Sequence, residues 1–254
     1  MTLTLITGGH SGLGRETARH LEALGHEVEA PTRQQLDLAD LDSIRAYADS
    51  FLAGGRRIDV LICNAGIMAV PDARVGDGWE SQFAVNHLGH YVLVNLLWPA
   101  LTEGARVIVL ASGLSQINWD DPQFEQGYDK WAAYLQSKTA NRLFAAELDR
   151  RGAPGVRAFS VTPGYILTPL QRHLPLSEMI EAGWVDEKGN AVDDTFISIE
   201  QGAATTVWAA TAPELHALGG LHLEKAAVVG PIEAADAQRL WAYSAALTRV
   251  NAFS

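Results

Sequence analysis

The chain has 254 residues, a single cysteine and a formal net charge of −11 at pH 7. One cysteine, Cys63, excludes an internal disulfide and a cysteine-rich metal site, so we expect no metal and a reducing, cytoplasmic location. The acidic charge disfavours nucleic acid and anionic membrane surfaces as partners. No apolar run approaches the ~20 residues of a transmembrane helix, and the first residues do not resemble an export signal.

Short apolar runs alternate with helical patterns along the chain. The runs cover residues 3–6, 60–63, 107–110, 156–161 and 221–223, and the helical patterns cover residues 16–24, 41–52, 79–101, 130–150 and 200–212. Continuous apolar strands are typical of a sheet buried on both faces, and their alternation with helices is typical of parallel βαβ units. We therefore predict an α/β fold, a single doubly wound domain over residues 1–254 with a parallel sheet and helices on both faces.

Two stretches and one connection depart from this alternation. Residues 169–197 mix proline, glycine and acids with scattered apolar residues, and we interpret them as a lid on the substrate side, whereas residues 226–254 form a C-terminal tail. Residues 27–31 are the second strand, and the next strand candidate, residues 36–38, follows almost at once. Because a parallel crossover needs about a dozen residues, we predict that the helix after strand two is missing and that strand three is a stub.

A glycine-rich turn follows the first strand directly and opens the first helix. It contains Gly8, Gly12 and Gly14 in the run from Thr7. Glycines in this position permit a tight turn and a close approach of backbone amides to a pyrophosphate, which the positive end of the helix also attracts. The turn predicts a Rossmann-type dinucleotide site, with a glycine-rich loop that binds nothing as the alternative.

A tyrosine and a lysine lie four residues apart in a helical segment. This spacing places Tyr134 and Lys138 on one face of the helix. An ammonium near a phenol favours the phenolate and lowers its pKa, so we expect a tyrosine able to exchange a proton with an alcohol or carbonyl. Ser112, just after the run at 107–110, could hydrogen-bond the same substrate oxygen.

These motifs together resemble the short-chain dehydrogenase/reductase family over residues 1 to about 223. The run from Thr7 to Gly14 is similar to its cofactor turn, Asn64-Ala65-Gly66 to its NAG motif, and the run from Pro163 to Thr168 to its nicotinamide segment. Asn86, Ser112, Tyr134 and Lys138 match its four catalytic positions. The stretches at residues 86–90, 136–141 and 170–174 are most similar to retinol-dehydrogenase-like members.

The resemblance implies an NAD(P)-dependent oxidoreductase that moves a hydride between nicotinamide and an alcohol or carbonyl. Ser112 would polarise the substrate oxygen, Tyr134 would exchange the proton, Lys138 would lower the pKa of Tyr134 and bind the ribose, and Asn86 would hold a relay water. The implied cofactor-binding residues are Gly8, Ser11, Gly12, Leu13, Gly14, Arg33, Asp37, Leu38, Asn64, Ala65, Gly66, Tyr134, Lys138, Pro163, Gly164, Ile166 and Thr168. Two residues depart from the family pattern: Cys63, directly before Asn64, and Ala111, directly before Ser112. Neither departure removes a reacting group.

The cofactor and the substrate follow from residues around this framework. Arg33 after strand two suits the 2′-phosphate of NADP(H), which we favour over NAD(H), and its alternative is a solvated loop residue. An apolar wall predicts a hydrophobic alcohol, aldehyde or ketone as the substrate. The residues assigned to that wall are Leu170, Leu174, Met179, Ile180 and Trp184, with Trp119 and Tyr165 beside it. The alternative for the wall is simple packing of the lid.

Further expectations concern assembly and rival functions. The helices at residues 79–101 and 130–150 have apolar surplus compatible with a homodimer or homotetramer. His87 and His90 lack a third metal ligand at fitting spacing and are interpreted as structural or surface residues. The main rival is an inactive dinucleotide-sensing or scaffold protein of the same fold. A sugar-nucleotide dehydratase or epimerase would need a larger substrate domain than 254 residues allow.

Overall fold

The computed structural model describes residues 1–113, 115–231 and 234–253. Among them, seven strands form one sheet in the order β2-β1-β3-β6-β7-β8-β9, and β4 and β5 form a separate hairpin. The strands are β1 Leu3–Ile6, β2 Glu27–Glu29, β3 Ile58–Cys63, β4 Arg74–Val75, β5 Trp79–Glu80, β6 Leu101–Leu110, β7 Val156–Thr162, β8 Leu221–Glu224 and β9 Ala227–Pro231. Strands β1 to β8 of the large sheet pair in parallel, and β9 pairs with β8 in the antiparallel sense.

Helices connect the strands and cover both faces of the sheet. They are α1 Gly12–Ala23, α2 Leu41–Ala53, α3 Ser81–Phe83, α4 Gly89–Leu97, α5 Lys130–Gly152, α6 Leu176–Glu181, α7 Ile199–Thr211 and α8 Ala234–Thr248. A π-helical turn at Ala84–Leu88 joins α3 to α4, and 3₁₀ turns lie at Trp98–Ala100, Pro169–His173 and Pro213–Leu215. The predicted doubly wound α/β fold is confirmed.

The two faces of the sheet explain why the strands read as continuous apolar runs. On β3, Leu61 and Cys63 point into the cluster under α2, α4 and α5, whereas Val60 and Ile62 point into the cluster under α1 and α7. Successive strand residues alternate between faces, so a strand covered on both sides is apolar at every position. The carboxyl ends of the strands, where the connections leave the sheet, remain available for a site.

The connection after β2 confirms one expectation and corrects another. No helix lies between β2 and α2, as predicted, but residues 36–38 form turn and coil rather than a stub of a third strand. Leu36 and Leu38 are buried in the cluster under α2 and α4, which is why their pattern resembled a strand. The segment lies across α4 instead of pairing with β2, whose carboxylates Glu27 and Glu29 both contact Arg56.

The C-terminal tail packs on the helices that the sequence suggested as oligomer faces. Trp241 of α8 contacts Tyr91 of α4 at a ring-centroid distance of 5.0 Å and stacks on Phe144 of α5 at 5.9 Å. Beyond α8, Tyr91 donates a hydrogen bond to the carbonyl of Val250 (2.9 Å) and the backbone of Ala252 donates one to Asn95 (2.8 Å). A second copy could use α4 and α5 only where this tail leaves them open.

Gly89, the first residue of α4, allows the segment after β2 to lie directly on the helix. A Cβ atom there would stand 2.4 Å from the carbonyl oxygen of Leu38 and 2.9 Å from its Cβ. Both neighbours belong to a buried residue, so they cannot move aside without shifting the segment.

We expect Gly89→Ala to lower the free energy of unfolding by about 1–3 kcal/mol, because this overlap outweighs the ~1 kcal/mol gain in helix propensity. Urea denaturation followed by circular dichroism measures it. Gly113→Ala is the matched control, since a Cβ at Gly113 meets nothing within 4 Å. A stabilised Gly89→Ala variant would show that residues 36–38 do not press on α4.

Candidate active site

One cavity of about 1060 Å³ opens at the carboxyl ends of the central strands. Its volume exceeds the ~300–1,000 Å³ typical of a single small-molecule site, so it has room for a dinucleotide and a second small molecule. Of the predicted site residues, these line it: Gly8, Ser11, Gly12, Leu13, Gly14, Arg33, Asp37, Leu38, Asn64, Ala65, Gly66, Ser112, Tyr134, Lys138, Pro163, Gly164, Ile166 and Thr168. Asn86 does not line it.

The glycine-rich turn is shaped by close backbone contacts. Gly8 and Gly12 have φ angles of +69° and +49°, in the left-handed region that glycine adopts without strain. A Cβ at Gly14 would stand 2.3 Å from the Gly8 carbonyl oxygen and 2.4 Å from the Asn64 side chain. Ser11 precedes α1 without capping it through its side chain, so amides of the first helical turn stay available to a phosphate.

Thr7 ties this turn to the Asn64-Ala65-Gly66 segment. Its hydroxyl oxygen accepts hydrogen bonds from the backbone amides of Asn64 and Ala65, both at 3.0 Å. In the opposite direction, the Asn64 side chain donates to the Thr7 carbonyl at 2.8 Å. The ends of β1 and β3 are therefore held together where both line the cavity.

Ser112, Tyr134 and Lys138 meet in the middle of the cavity, since Ser112 follows β6 and the other two lie one turn apart on α5. Burial raises the pKa of Tyr134 to about 12, against a hydrogen bond with the Ser112 side chain that lowers it. The Lys138 ammonium donates to the Leu110 carbonyl (3.1 Å) and lies 5.9 Å from the Tyr134 ring centroid. Burial also lowers the pKa of Lys138 to about 8.

This electrostatic balance differs from the sequence expectation. We expected Lys138 to lower the pKa of Tyr134, but the enclosure of the phenol dominates and raises it. Burial disfavours the charged phenolate because it removes the water that would solvate it. Near neutral pH, Tyr134 is therefore a protonated phenol that can donate to an acceptor in the cavity.

Asn86 lies behind the cavity wall in the π-helical turn. Its side chain accepts from the amide of Ile67 (2.9 Å) and donates to the Ile67 carbonyl (3.0 Å) and to Ser137 (2.9 Å). The turn carries a wider register, in which the Gly89 amide bonds the Ala84 carbonyl. Asn86 thus anchors the cavity wall, and its expected role in holding a relay water stays a prediction.

The segment without a helix forms the adenine-side wall. Arg33, 79% exposed, donates to Asp37 at 3.1 Å, and Asp37 in turn accepts from the Ala39 amide at 3.0 Å. Sequence analysis missed His10, whose ring bonds the Ala30 carbonyl at 2.7 Å and which also lines the cavity. Its position inside the glycine-rich turn was the available signal.

The opposite end of the cavity is aromatic and apolar. Trp184 contacts Trp131 at a ring-centroid distance of 5.6 Å and Phe196 at 6.0 Å, and Phe196 contacts the exposed Tyr165 at 6.2 Å. All four line the cavity, and Trp131 and Phe196 were not foreseen. A salt bridge of 2.6 Å between Lys130 and Glu178 joins the start of α5 to α6.

The expected apolar wall is only partly present. Leu170 and Trp184 line the main cavity. Leu174 and Met179 pack in the cluster around Tyr134, and Ile180 is exposed. The assignment of Trp119 was wrong: it packs on α8, with its indole 4.2 Å below the Arg239 guanidinium, because the chain after β6 turns toward the tail.

The described residues contain neither a metal-binding cluster nor a membrane-spanning helix. Within residues 1–113, 115–231 and 234–253, no group of three or more His, Cys, Asp and Glu side chains could hold a metal ion. Across that same described part, no helix combines the length and the apolar character needed to cross a bilayer.

Comparison with known proteins gives consistent matches along most of the chain. A family model described as short chain dehydrogenase matches residues 29–178. A Streptomyces lividans protein named "Probable oxidoreductase" is 36% identical, with 95% of each chain covered. Retinol dehydrogenase 12 of Mus musculus is 34% identical over 98% of this chain and 82% of its own length, which confirms the predicted resemblance. A crystal structure of an uncharacterised Mycobacterium paratuberculosis protein shares 33% identity with a TM-score of 0.70, covering 100% of this chain and 95% of its own.

Three buried histidines make the stability of the protein depend on pH. Burial lowers the pKa of His87 to about 3, and those of His90 and His222 to about 4. An unfolded histidine titrates at about 6.5, so between about pH 6.5 and 4 the unfolded chain binds more protons than the folded one. Stability is therefore retained above about pH 6.5 and lost as the pH falls through that window.

We expect the urea midpoint to fall steadily between about pH 7 and 5, where most carboxylates remain ionised. His222→Phe should make this pH dependence shallower, because it removes one of the three groups. A midpoint that stays constant over this range would contradict the neutral state of the three rings.

Proposed function

Because the chain belongs to the short-chain dehydrogenase/reductase family, an NAD(P)-dependent enzyme family acting on CH–OH or C=O groups, we propose that it reduces apolar aldehydes or ketones with NADPH. The observation that carries the proposal is that Ser112, Tyr134 and Lys138 line one cavity together with the glycine-rich turn and the aromatic residues Trp131, Trp184 and Phe196. Because burial raises its pKa, the Tyr134 phenol stays protonated near neutral pH, the state that a proton donor to a carbonyl oxygen requires.

The residues at one end of the cavity fit a dinucleotide. The amides of the first turn of α1 suit the pyrophosphate, and Gly8 and Gly14 allow the turn and the helix to pack closely enough to present them. Lys138, with the segment from Pro163 to Thr168, would hold the ribose and the nicotinamide carboxamide. When bound, the nicotinamide ring supplies the hydride.

The remaining steps belong to side chains of this protein. Ser112 orients the substrate oxygen by donating a hydrogen bond, and Tyr134 donates its proton to that oxygen as the carbonyl becomes an alcohol. Lys138, held by the Leu110 carbonyl with its ammonium 5.9 Å from the Tyr134 ring centroid, stabilises the resulting phenolate. Asn86 supports this group through Ser137, which precedes Lys138.

A hydrophobic substrate is supported by the aromatic end of the cavity. Trp131, Trp184 and Phe196 form its wall, and the segment 169–197 contributes two of them as a substrate-side lid. The retinol dehydrogenase relative, by its name, acts on an apolar alcohol, and a similar preference here fits this wall. We further propose that residues 1–254 form a single domain and that the protein is located in the cytoplasm. A homodimer or homotetramer would form on the surface that the C-terminal tail, residues 226–254, does not cover.

We expect the purified protein to oxidise NADPH with aliphatic aldehydes. Its kcat/KM should rise roughly fourfold per added methylene while the chain fits the wall, because each buried methylene contributes ~0.8 kcal/mol. Tyr134→Phe should lower kcat by about 10²-fold or more and leave the NADPH dissociation constant nearly unchanged. Nicotinamide fluorescence measures binding, and absorbance measures turnover.

Tyr47→Phe is the matched control, because it also removes a phenol hydroxyl but at Glu29, outside the cavity. Near-normal turnover by Tyr134→Phe would exclude it as the proton donor. A protein that binds neither NADPH nor NADH would instead be the non-catalytic scaffold.

Arg33 is expected to select NADPH. Arg33→Ala should weaken NADPH binding by roughly tenfold or more, because a charge-assisted hydrogen bond contributes about 1.5–3 kcal/mol, and should leave NADH binding unchanged. Arg45→Ala removes an exposed arginine of α2 that does not line the cavity and serves as the control. Equal effects of Arg33→Ala on both dinucleotides would contradict 2′-phosphate recognition.

A further inference from the structure

His90, in the first turn of α4, bridges two parts of the cavity wall from behind. Its Nδ1 lies 2.9 Å from the Asn86 carbonyl oxygen, and its Nε2 lies 2.8 Å from the Thr7 hydroxyl. The residue is fully buried and does not line the cavity. It therefore contacts neither cofactor nor substrate directly.

The partners fix the direction of every hydrogen bond in this cluster. A carbonyl oxygen only accepts, so Nδ1 carries the proton and donates to Asn86. The bare Nε2 then accepts from the Thr7 hydroxyl, whose oxygen accepts from the Asn64 and Ala65 amides. Each polar atom has a partner only while the ring is neutral, and burial keeps the pKa of His90 near 4.

The cluster joins three segments that independently shape the site. Thr7 follows β1, Asn64 and Ala65 follow β3, and Asn86 lies in the π-helical turn. The fit at their junction is tight, since a Cβ at Gly66 would stand 3.0 Å from Asn86 Oδ1 and 3.7 Å from Lys138 Nζ. A shift of one segment would therefore reach the dinucleotide end of the cavity.

We propose that His90 is a positioning residue for cofactor binding, which holds Thr7 and Asn86, and through them the Asn64-Ala65-Gly66 segment, in the arrangement that the dinucleotide requires. The inference rests on the proposed function. It adds His90 to the residues needed for cofactor binding, although His90 acts only through its hydrogen bonds with Thr7 and Asn86.

The chain supplies a matched control in a second buried histidine. His222 of β8 bonds the Ser160 hydroxyl of β7 at 2.9 Å, and burial likewise lowers its pKa to about 4. Neither His222 nor Ser160 lines the cavity. Loss of this pair should cost stability alone, so it separates a structural effect from an effect on the site.

The test compares NADPH dissociation constants, measured by nicotinamide fluorescence, with melting temperatures. We expect His90→Phe, which removes both hydrogen bonds, to weaken NADPH binding roughly tenfold, and His90→Gln, whose amide can donate and accept, to recover most of it. His222→Phe should lower the melting temperature comparably and change NADPH binding less than about twofold. Thr7→Val should weaken binding, whereas Thr7→Ser should not.

A cycle of Thr7→Val, His90→Phe and the double variant adds a coupling measurement. If the two residues act as one unit, the double variant binds about as well as the weaker single variant. Wild-type binding by His90→Phe, or an equal loss in His222→Phe, would overturn the proposal. If His90→Phe does not fold, His90→Leu, which also removes both hydrogen bonds, takes its place in the comparison with His90→Gln and His222→Phe. Failure of the wild-type protein to bind either dinucleotide would instead contradict the proposed function.

Discussion

The close approach of backbone segments at the carboxyl ends of β1 and β3 is the constraint on which the site depends. Gly14 leaves no room for a side chain between α1 and the turn that precedes it, so the first helix sits directly on the Gly8 carbonyl and the Asn64 side chain. That contact aims the free amides of α1 into the cavity. The Thr7 hydroxyl then holds the Asn64-Ala65-Gly66 segment by accepting two hydrogen bonds from it. These contacts form the wall of the dinucleotide end without any of the reactive side chains.

Enclosure also decides which protonation states the site holds. The same burial raises the pKa of Tyr134 and lowers the pKa values of Lys138 and His90, because each charged form loses water without gaining a full counter-charge. The result is a protonated phenol beside a lysine that is charged near neutral pH yet close to releasing its proton. These protonation states follow from burial, which the spacing along α5 does not indicate.

Sequence patterns predicted most of the sheet, and all the predicted catalytic and cofactor residues except Asn86 line the cavity, but these patterns failed where tertiary packing decides. Continuous apolar runs located the strands because burial on both faces removes the polar alternation. The same logic misread Leu36 and Leu38, which are buried against a helix rather than paired in the sheet. It also placed Trp119 at the site and could not show that Asn86 stands behind the wall. The Tyr134–Lys138 spacing was right, yet the sign of the pKa shift depends on enclosure, which no local pattern encodes.

The short connection after β2 links the two ends of the site through one helix. Without a helix there, Leu36 and Leu38 bury apolar surface that an added helix would otherwise cover, and they do so by lying on α4 at Gly89. Arg33 and Asp37 belong to the same connection and form the adenine-side wall. Gly89 is flanked by the turn that carries Asn86 and by His90. Helix α4 therefore contacts the adenine-side segment through Gly89 and the Thr7 hydroxyl through His90. The position of α4 therefore affects both regions, and Gly89 is the residue that allows Leu38 to lie directly on the helix.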